Sequence, residues 1–387
     1  MHSNTATSFI PLRPRDPHES HRAASPLELF FDLVFVVAVS FSSQQLHHLA
    51  AEGHIGSGVL GYLMVFFAIW WAWMNFTWFA SAFDTDDWLY RVLTIVQMAG
   101  VLMLAAGAAD AMQYQDFTLV TIGYVIMRLA LVVQWLRAAA GDPTLRQTAA
   151  RYAAGITIVQ ILWVARLFLP EQIGFIAFFV LAAAEIAVPI WAEARRRTPW
   201  HPEHIAERYS LFTLILLGES ILASANAVVE AVDEGHHVPD LLTVSAAGLV
   251  IAAGMWWIYF SREQHDQLTD LPSALTFGYS HYVIFAAAGA FSAGVELVID
   301  SAAGHAETSS VVATGLLAAP VAIFILGIWM LSLRRRMRPA ANGALVAGAV
   351  VVLVGMLLPP LAAVVVAAVG VAVAVAAVQV PMPAHRP

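Results

Sequence analysis

Residues 361–379 read LAAVVVAAVGVAVAVAAVQ and contain no charged side chain. A helix needs about 20 mostly apolar residues to span the hydrocarbon core of a bilayer. Eleven more windows of this kind can be drawn upstream, at roughly 28–47, 57–79, 89–109, 117–137, 152–169, 173–192, 208–229, 241–260, 278–299, 311–332 and 343–358. Runs this long must pair their own backbone groups in hydrocarbon, which helices do. The reading is an all-α integral membrane protein with about twelve transmembrane helices. The range is ten to twelve, because Arg166 sits in the fifth window and only Pro359 and Pro360 part the last two.

Composition agrees. Of 387 residues, 60% are apolar and 12% charged, with a mean hydropathy of +0.73. Soluble domains average about 45–50% apolar and about 25% charged. So little charge cannot cover a water-soluble globule of this size. That excludes a cytosolic enzyme, a disulfide scaffold and a disordered chain. There are no cysteines, hence no thiolate metal site or cysteine nucleophile. The net charge of −8, with no basic stretch alternating with aromatics, argues against nucleic acid as a partner. Residues 1–25 are polar and proline-rich and lack the apolar run of a secretory signal, so they read as an uncleaved, disordered cytoplasmic tail.

All 19 basic residues are arginine, and their placement orients the chain. With the N-terminus inside, seventeen fall in inner segments or at the inner edge of a window, and two, Arg128 and Arg166, well inside windows. The outer loops instead carry Glu52, Asp116, Glu171, Glu230, Asp233, Glu234, Asp240 and Glu307. Basic residues gather on the cytoplasmic side, so both termini are expected there. The organisation expected is a first six-helix half (26–192), a cytoplasmic linker (193–207), a second six-helix half (208–380) and a short cytoplasmic tail (381–387). Glu28, Trp70-Trp71, Arg91 and Asp110 in the first three windows are echoed by Glu207, Trp256-Trp257, His281 and Glu296 in windows seven to nine. This reads either as a parallel 6+6 repeat or as the general likeness of bilayer-facing helices.

Charge at mid-bilayer costs about 2.5–3.5 kcal/mol on insertion scales, so it needs a reason. Glu219 stands near the midplane of window seven, within Leu216-Leu217-Gly218-Glu219-Ser220. It reads as a protonatable or ion-binding carboxylate, or as the structural partner of Arg128. Gly218 beside it would let a neighbouring helix approach closely. Glu28 and Asp32 are four apart and share a helix face, with Arg91 or Arg208 as counter-ions. Glu28 also suits a helix start behind Pro26. Glu207 and Arg208 open window seven, His281 enters window nine, and Glu185 lies about two turns from the inner end of window six. The candidate substrate or ion-binding residues are therefore Glu28, Asp32, Arg91, Arg128, Glu207, Arg208, Glu219 and His281. Trp70, Trp71, Trp73 and Trp78, like Trp256, Trp257, Tyr259 and Phe260, read as interfacial anchors. His47, His48, His54, His236 and His237 supply no matched ligand set, so no metal or other cofactor is expected. Nor is a phosphate loop, a nucleophile elbow or a zinc-protease motif present, so no enzyme is expected.

Three of these stretches resemble a known family. Ser25-Pro26-Leu27-Glu28-Leu29-Phe30-Phe31-Asp32-Leu33-Val34-Phe35-Val36, then Glu207-Arg208-Tyr209 with Leu217-Gly218-Glu219-Ser220-Ile221, then Trp256-Trp257-Ile258-Tyr259-Phe260 are similar to blocks of the bacterial low temperature requirement protein A family. Tyr209-Ser210 departs from its pattern. The resemblance implies a multi-pass bacterial plasma-membrane protein and no settled activity. Two functions follow as expectations. One is a proton- or cation-coupled secondary transporter that uses its buried carboxylates. The alternative is a non-transporting protein that supports growth in the cold through bilayer or partner interactions. The partners expected are the lipid bilayer and a small ion or metabolite.

Because the chain lacks cysteine, introduced cysteines report topology cleanly. Cysteines placed in 47–56 and 231–240 should react with an impermeant thiol reagent added outside whole cells. Those in 138–150 and 195–202 should not, and external labelling at Arg195–Arg197 would reverse the orientation.

Overall fold

A computed structural model describes residues 12–16, 23–83, 85–233, 238–304 and 306–380. Among them are thirteen α-helices: α1 (Pro26–Ala51), α2 (Ile55–Ala82), α3 (Trp88–Ala106), α4 (Ala108–Gln113), α5 (Thr118–Gly141), α6 (Arg146–Arg166), α7 (Glu171–Glu193), α8 (Pro202–Asp233), α9 (Val238–Tyr259), α10 (Leu271–Ala303), α11 (Ser310–Ile328), α12 (Pro339–Gly355) and α13 (Pro360–Val378). No strand occurs among the described residues, only an isolated bridge between Pro14 and Phe83. Most of the two expected tails lies outside the described residues, as do Arg22, Glu234, His236, His237 and Arg386.

Each of the twelve sequence windows falls on its own helix. Ten of those helices are long and apolar enough to cross a membrane: α1, α2, α3, α5, α6, α7, α9, α10, α11 and α13. Helix α12 is apolar but has 17 residues. Helix α8 has 32 and starts with a charged turn. Several helices begin earlier than the windows, at residue 146 against 152, 202 against 208 and 271 against 278. Their first turns are polar, so hydropathy misses them. At the start of α10, for example, Asp270 accepts from Ser273 N while the Ser273 hydroxyl accepts from Asp270 N, a reciprocal cap.

The chain forms two compact units. The first contains residues 1–38 and 67–208, the second residues 39–66 and 209–387. In the first, α3, α5, α6 and α7 pack in sequence. Helices α3 and α5 touch backbone to backbone: a Cβ on Gly123 would lie 2.5 Å from Gly100 O and 2.6 Å from Leu104 N. In the second unit, α10 packs on α11 and α12 on α13, again through small residues, with Gly348 against Gly370 O. Close approach of this kind substitutes for the hydrophobic effect, which lipid does not supply.

Large apolar side chains lie outside, and several charged ones lie inside. Phe30 is 55% and Phe168 82% exposed, while Asp32, Glu185 and Arg208 are 0% exposed. Only a surround of hydrocarbon makes that arrangement favourable. The anchoring role expected of the α2 tryptophans does not hold for three of them. Trp70, Trp71 and Trp73 are at most 1% exposed, because they lie mid-helix, and Trp71 and Trp73 donate to buried carboxylates. Trp256 and Trp257 are 43% and 48% exposed, as anchors would be. The two tryptophan pairs of the sequence echo thus meet opposite surroundings, as do exposed Arg91 and buried His281, and the repeat gains no support from them.

Gly123→Val should destabilise the protein by about 1–3 kcal/mol or more, since backbone rather than a side chain must yield. Gly343, where an added Cβ would meet nothing within 4 Å, should accept alanine without loss. Thermal unfolding in detergent compares the two.

Candidate functional site

Among the described residues of the first unit, two arginine–carboxylate centres are fully buried, beside a part-buried Arg137–Asp87 pair. At the start of α1, Ser25 Oγ accepts from Glu28 N and Glu28 Oε2 accepts from Ser25 N at 2.7 Å. This capping box fixes the helix start with Pro26 in its first turn. One turn on, Asp32 receives two bonds from Arg208 of α8, Nε to Oδ2 at 2.9 Å and Nη2 to Oδ1 at 2.6 Å. Trp73 Nε1 of α2 donates to the same carboxylate at 2.7 Å. Arg208 Nη1 lies 3.6 Å from Glu28 Oε1, and His204 Nε2 lies 3.4 Å from Glu28 Oε2. Paired forks of this type are the strong, directional form of arginine–carboxylate contact.

The second centre is built on Glu185 of α7. Its Oε2 accepts from Arg128 Nη2 and Trp71 Nε1, each at 2.9 Å. Its Oε1 accepts from Tyr124 OH at 2.9 Å and Gln160 Nε2 at 2.8 Å. Four helices therefore converge on one carboxylate that is filled with donors. Within the centre, the buried Arg128 Nε, Arg128 Nη1 and Gln160 Oε1 find no hydrogen-bond partner among the described residues. The same is true of Gln97 Nε2 on α3 and of both polar atoms of the Gln134 amide on α5.

The other predicted residues are dispersed. Arg91 is not a counter-ion for Asp32 or Glu28. It is exposed and forks onto Asp86, with both contacts at 2.6 Å, and that bond holds the Asp86 carboxyl below the usual carboxylate range. Arg128 pairs with Glu185 rather than Glu219. Glu207 Oε2 accepts from Ala24 N at 3.1 Å. In the second unit, His281 is a satisfied core histidine: Nδ1 lies 2.7 Å from Phe277 O, Nε2 lies 3.1 Å from Tyr259 OH, and Tyr209, Phe277 and Phe285 enclose its ring. Glu219 is 8% exposed, and its side chain forms no hydrogen bond or ion pair among the described residues. Gly218 does not admit a close helix, for nothing lies within 4 Å of its Cβ position. His47 contacts Asp300 at 2.7 Å and Glu296 at 3.4 Å through opposite ring nitrogens, which is a bridge and not a chelate. Among the described residues one trio, Glu263, His265 and Asp266, brings metal-ligating atoms within 4.8 Å of one another, and it sits in a surface loop.

Residues 23–378 match the family described as bacterial low temperature requirement A protein (LtrA). The chain belongs to the LtrA family. It is also similar to an uncharacterized protein of Rhizobium meliloti (strain 1021), 29% identical over 297 residues, which covers 71% of this chain and 70% of that one. No solved structure matches.

The family blocks that stand out in the LtrA chain supply Glu28, Asp32, Glu207, Arg208 and Glu219. They leave out the Glu185 centre. Its members come from four helices with no shared spacing, and Gln160 and Tyr124 are ordinary residues in their windows. The available signal is Glu185 itself, a carboxylate well inside window six, together with tryptophans in the middle of α2 and not at its end. His204 also escapes a reading by blocks, being one turn before Glu207-Arg208.

Asp32→Leu leaves Arg208 buried without its main partner and should cost about 3–5 kcal/mol, whereas Glu28→Gln should cost less, because glutamine can keep the capping box and Arg208 keeps Asp32. Arg128→Gln should cost as much as Asp32→Leu, and Arg128→Gln with Glu185→Gln should recover part of it. Melting temperatures of the purified variants would rank these changes, and equal stability of all four would mean that neither centre holds the fold together.

Proposed function

We propose that this LtrA-family protein is a proton- or cation-coupled secondary transporter of the plasma membrane, with twelve crossings and both termini in the cytoplasm. The observation that carries the reading is the contrast among deep carboxylates. Asp32 and Glu185 are clamped by arginines, whereas Glu219 has no partner among the described residues. A carboxylate clamped by an arginine is held in place by its partner. An unclamped one keeps both oxygens available to a cation or a transported solute. The orphaned polar atoms of Arg128, Gln160, Gln97 and Gln134 support a hydrated interior as well, since each costs about 1–3 kcal/mol if left dry.

One feature favours the alternative, a non-transporting membrane protein: in both centres several donors from different helices hold one carboxylate, the sort of contact that fixes helices in place. Flux decides between the two. Proteoliposomes under an imposed pH gradient, offered a panel of ions and metabolites, should show coupled uptake. Glu219→Gln should remove it while leaving the melting temperature close to that of the parent. No gradient-driven flux of any solute would favour the alternative, and a large loss of stability in Glu219→Gln would make Glu219 structural.

A further inference from the structure

Within the second unit, a cavity of about 840 Å³ opens between the first half of α10 and the end of α11. Gly327 meets Ile284, and Gly294 meets Leu316 and Leu317, so the two helices are antiparallel, and Thr276 and Arg335 both line the cavity. One end of the cavity is polar. There Ser273, Thr276 and Ser280 follow at intervals of three and four on one face of α10, opposite Arg334, Arg335 and Arg336. The other end is apolar and open to the surroundings: Val283 is 52%, Ile323 43% and Met330 67% exposed. Helix α11 finishes in a π turn, Trp329–Leu333, an irregularity often found at functional sites.

The arginines are not equivalent. Arg336 Nη1 lies 3.5 Å from Asp266, which also lines the cavity, and donates to Glu263 O at 3.3 Å. The side chains of Arg334 and Arg335 form no hydrogen bond or ion pair among the described residues. Two uncompensated cations therefore sit beside a row of hydroxyls, directly next to an apolar trough on membrane-crossing helices. A soluble anion would satisfy the cations but has no use for the trough. A zwitterionic lipid would bring its own cation against the arginines. We propose that this groove is a binding site for an anionic phospholipid, with the phosphate held by Arg334, Arg335 and the α10 hydroxyls and one acyl chain lying along Val283, Ile323 and Met330. Basic pockets between helices at a membrane edge recognise such headgroups. A site of this kind would serve a transporter and a non-transporting protein alike.

Native mass spectrometry of the full-length protein in detergent tests it, with dioleoyl phosphatidylglycerol and dioleoyl phosphatidylcholine titrated separately. Phosphatidylglycerol should bind in preference. Arg334→Gln with Arg335→Gln should weaken it about 20- to 30-fold, at roughly fivefold per charge, with no change in melting temperature, because neither side chain has a partner among the described residues. Arg338→Gln, an exposed arginine outside the cavity, should leave binding as it was, and Val283→Trp should reduce it by filling the trough. Glycerol 3-phosphate should fail to displace the lipid. Equal binding of the two lipids, or a double variant that binds as the parent does, would overturn the proposal. So would displacement by glycerol 3-phosphate alone, which would make the site one for free phosphate esters.

Discussion

The interaction on which the first unit depends is the pairing of a buried carboxylate with an arginine. Asp32 and Arg208 form it with a two-point contact at 2.6 and 2.9 Å. Holding it dictates much around it: α8 must begin close to the start of α1, and Trp73 must turn its indole inward. The pair is not a large source of net stability, since desolvation consumes most of what attraction returns. Its effect is on specificity. Any register of α1 against α8 other than this one leaves two bare charges in a medium that cannot solvate them.

The second unit solves the same problem in its middle with hydroxyls and carbonyls that satisfy one another. Ser43 and Ser292 both donate to Gly289 O, and Tyr62 donates to Ala286 O. His281 is buried with both ring nitrogens engaged. Small residues let the helices touch at Gly294 and Gly348. Against this quiet background Glu219 is conspicuous, a deep carboxylate with no partner among the described residues.

The helical architecture was legible because apolar runs longer than a bilayer is thick have few other uses. Every window lay on a helix, and errors came at polar starts such as Leu271, where hydropathy is low but geometry continues. The Asp32–Arg208 pair was legible in part: i and i+4 spacing put Glu28 and Asp32 on one face, but nothing local chose Arg208 over Arg91. That choice depended on Arg91 having Asp86 five residues away. The Glu185 centre was illegible for a different reason. Its four donors come from α2, α5 and α6, and only tertiary packing aligns them. The tryptophans misled because an indole serves equally at an interface and as a buried donor.

The distance along the chain between Asp32 and Arg208, 176 residues, has a consequence for biogenesis. At about 5–20 residues per second, Arg208 leaves the ribosome roughly 10–35 seconds after Asp32. Over that interval Asp32 has entered the insertion machinery and its arginine has not been made. Glu185 waits for nothing, since Arg128, Tyr124, Gln160 and Trp71 all precede it. The Glu185 centre can therefore close first and hold the early helices together, while the Asp32 end of α1 waits for Arg208 and its other end waits longer, for Gly289 and Asp300 of α10.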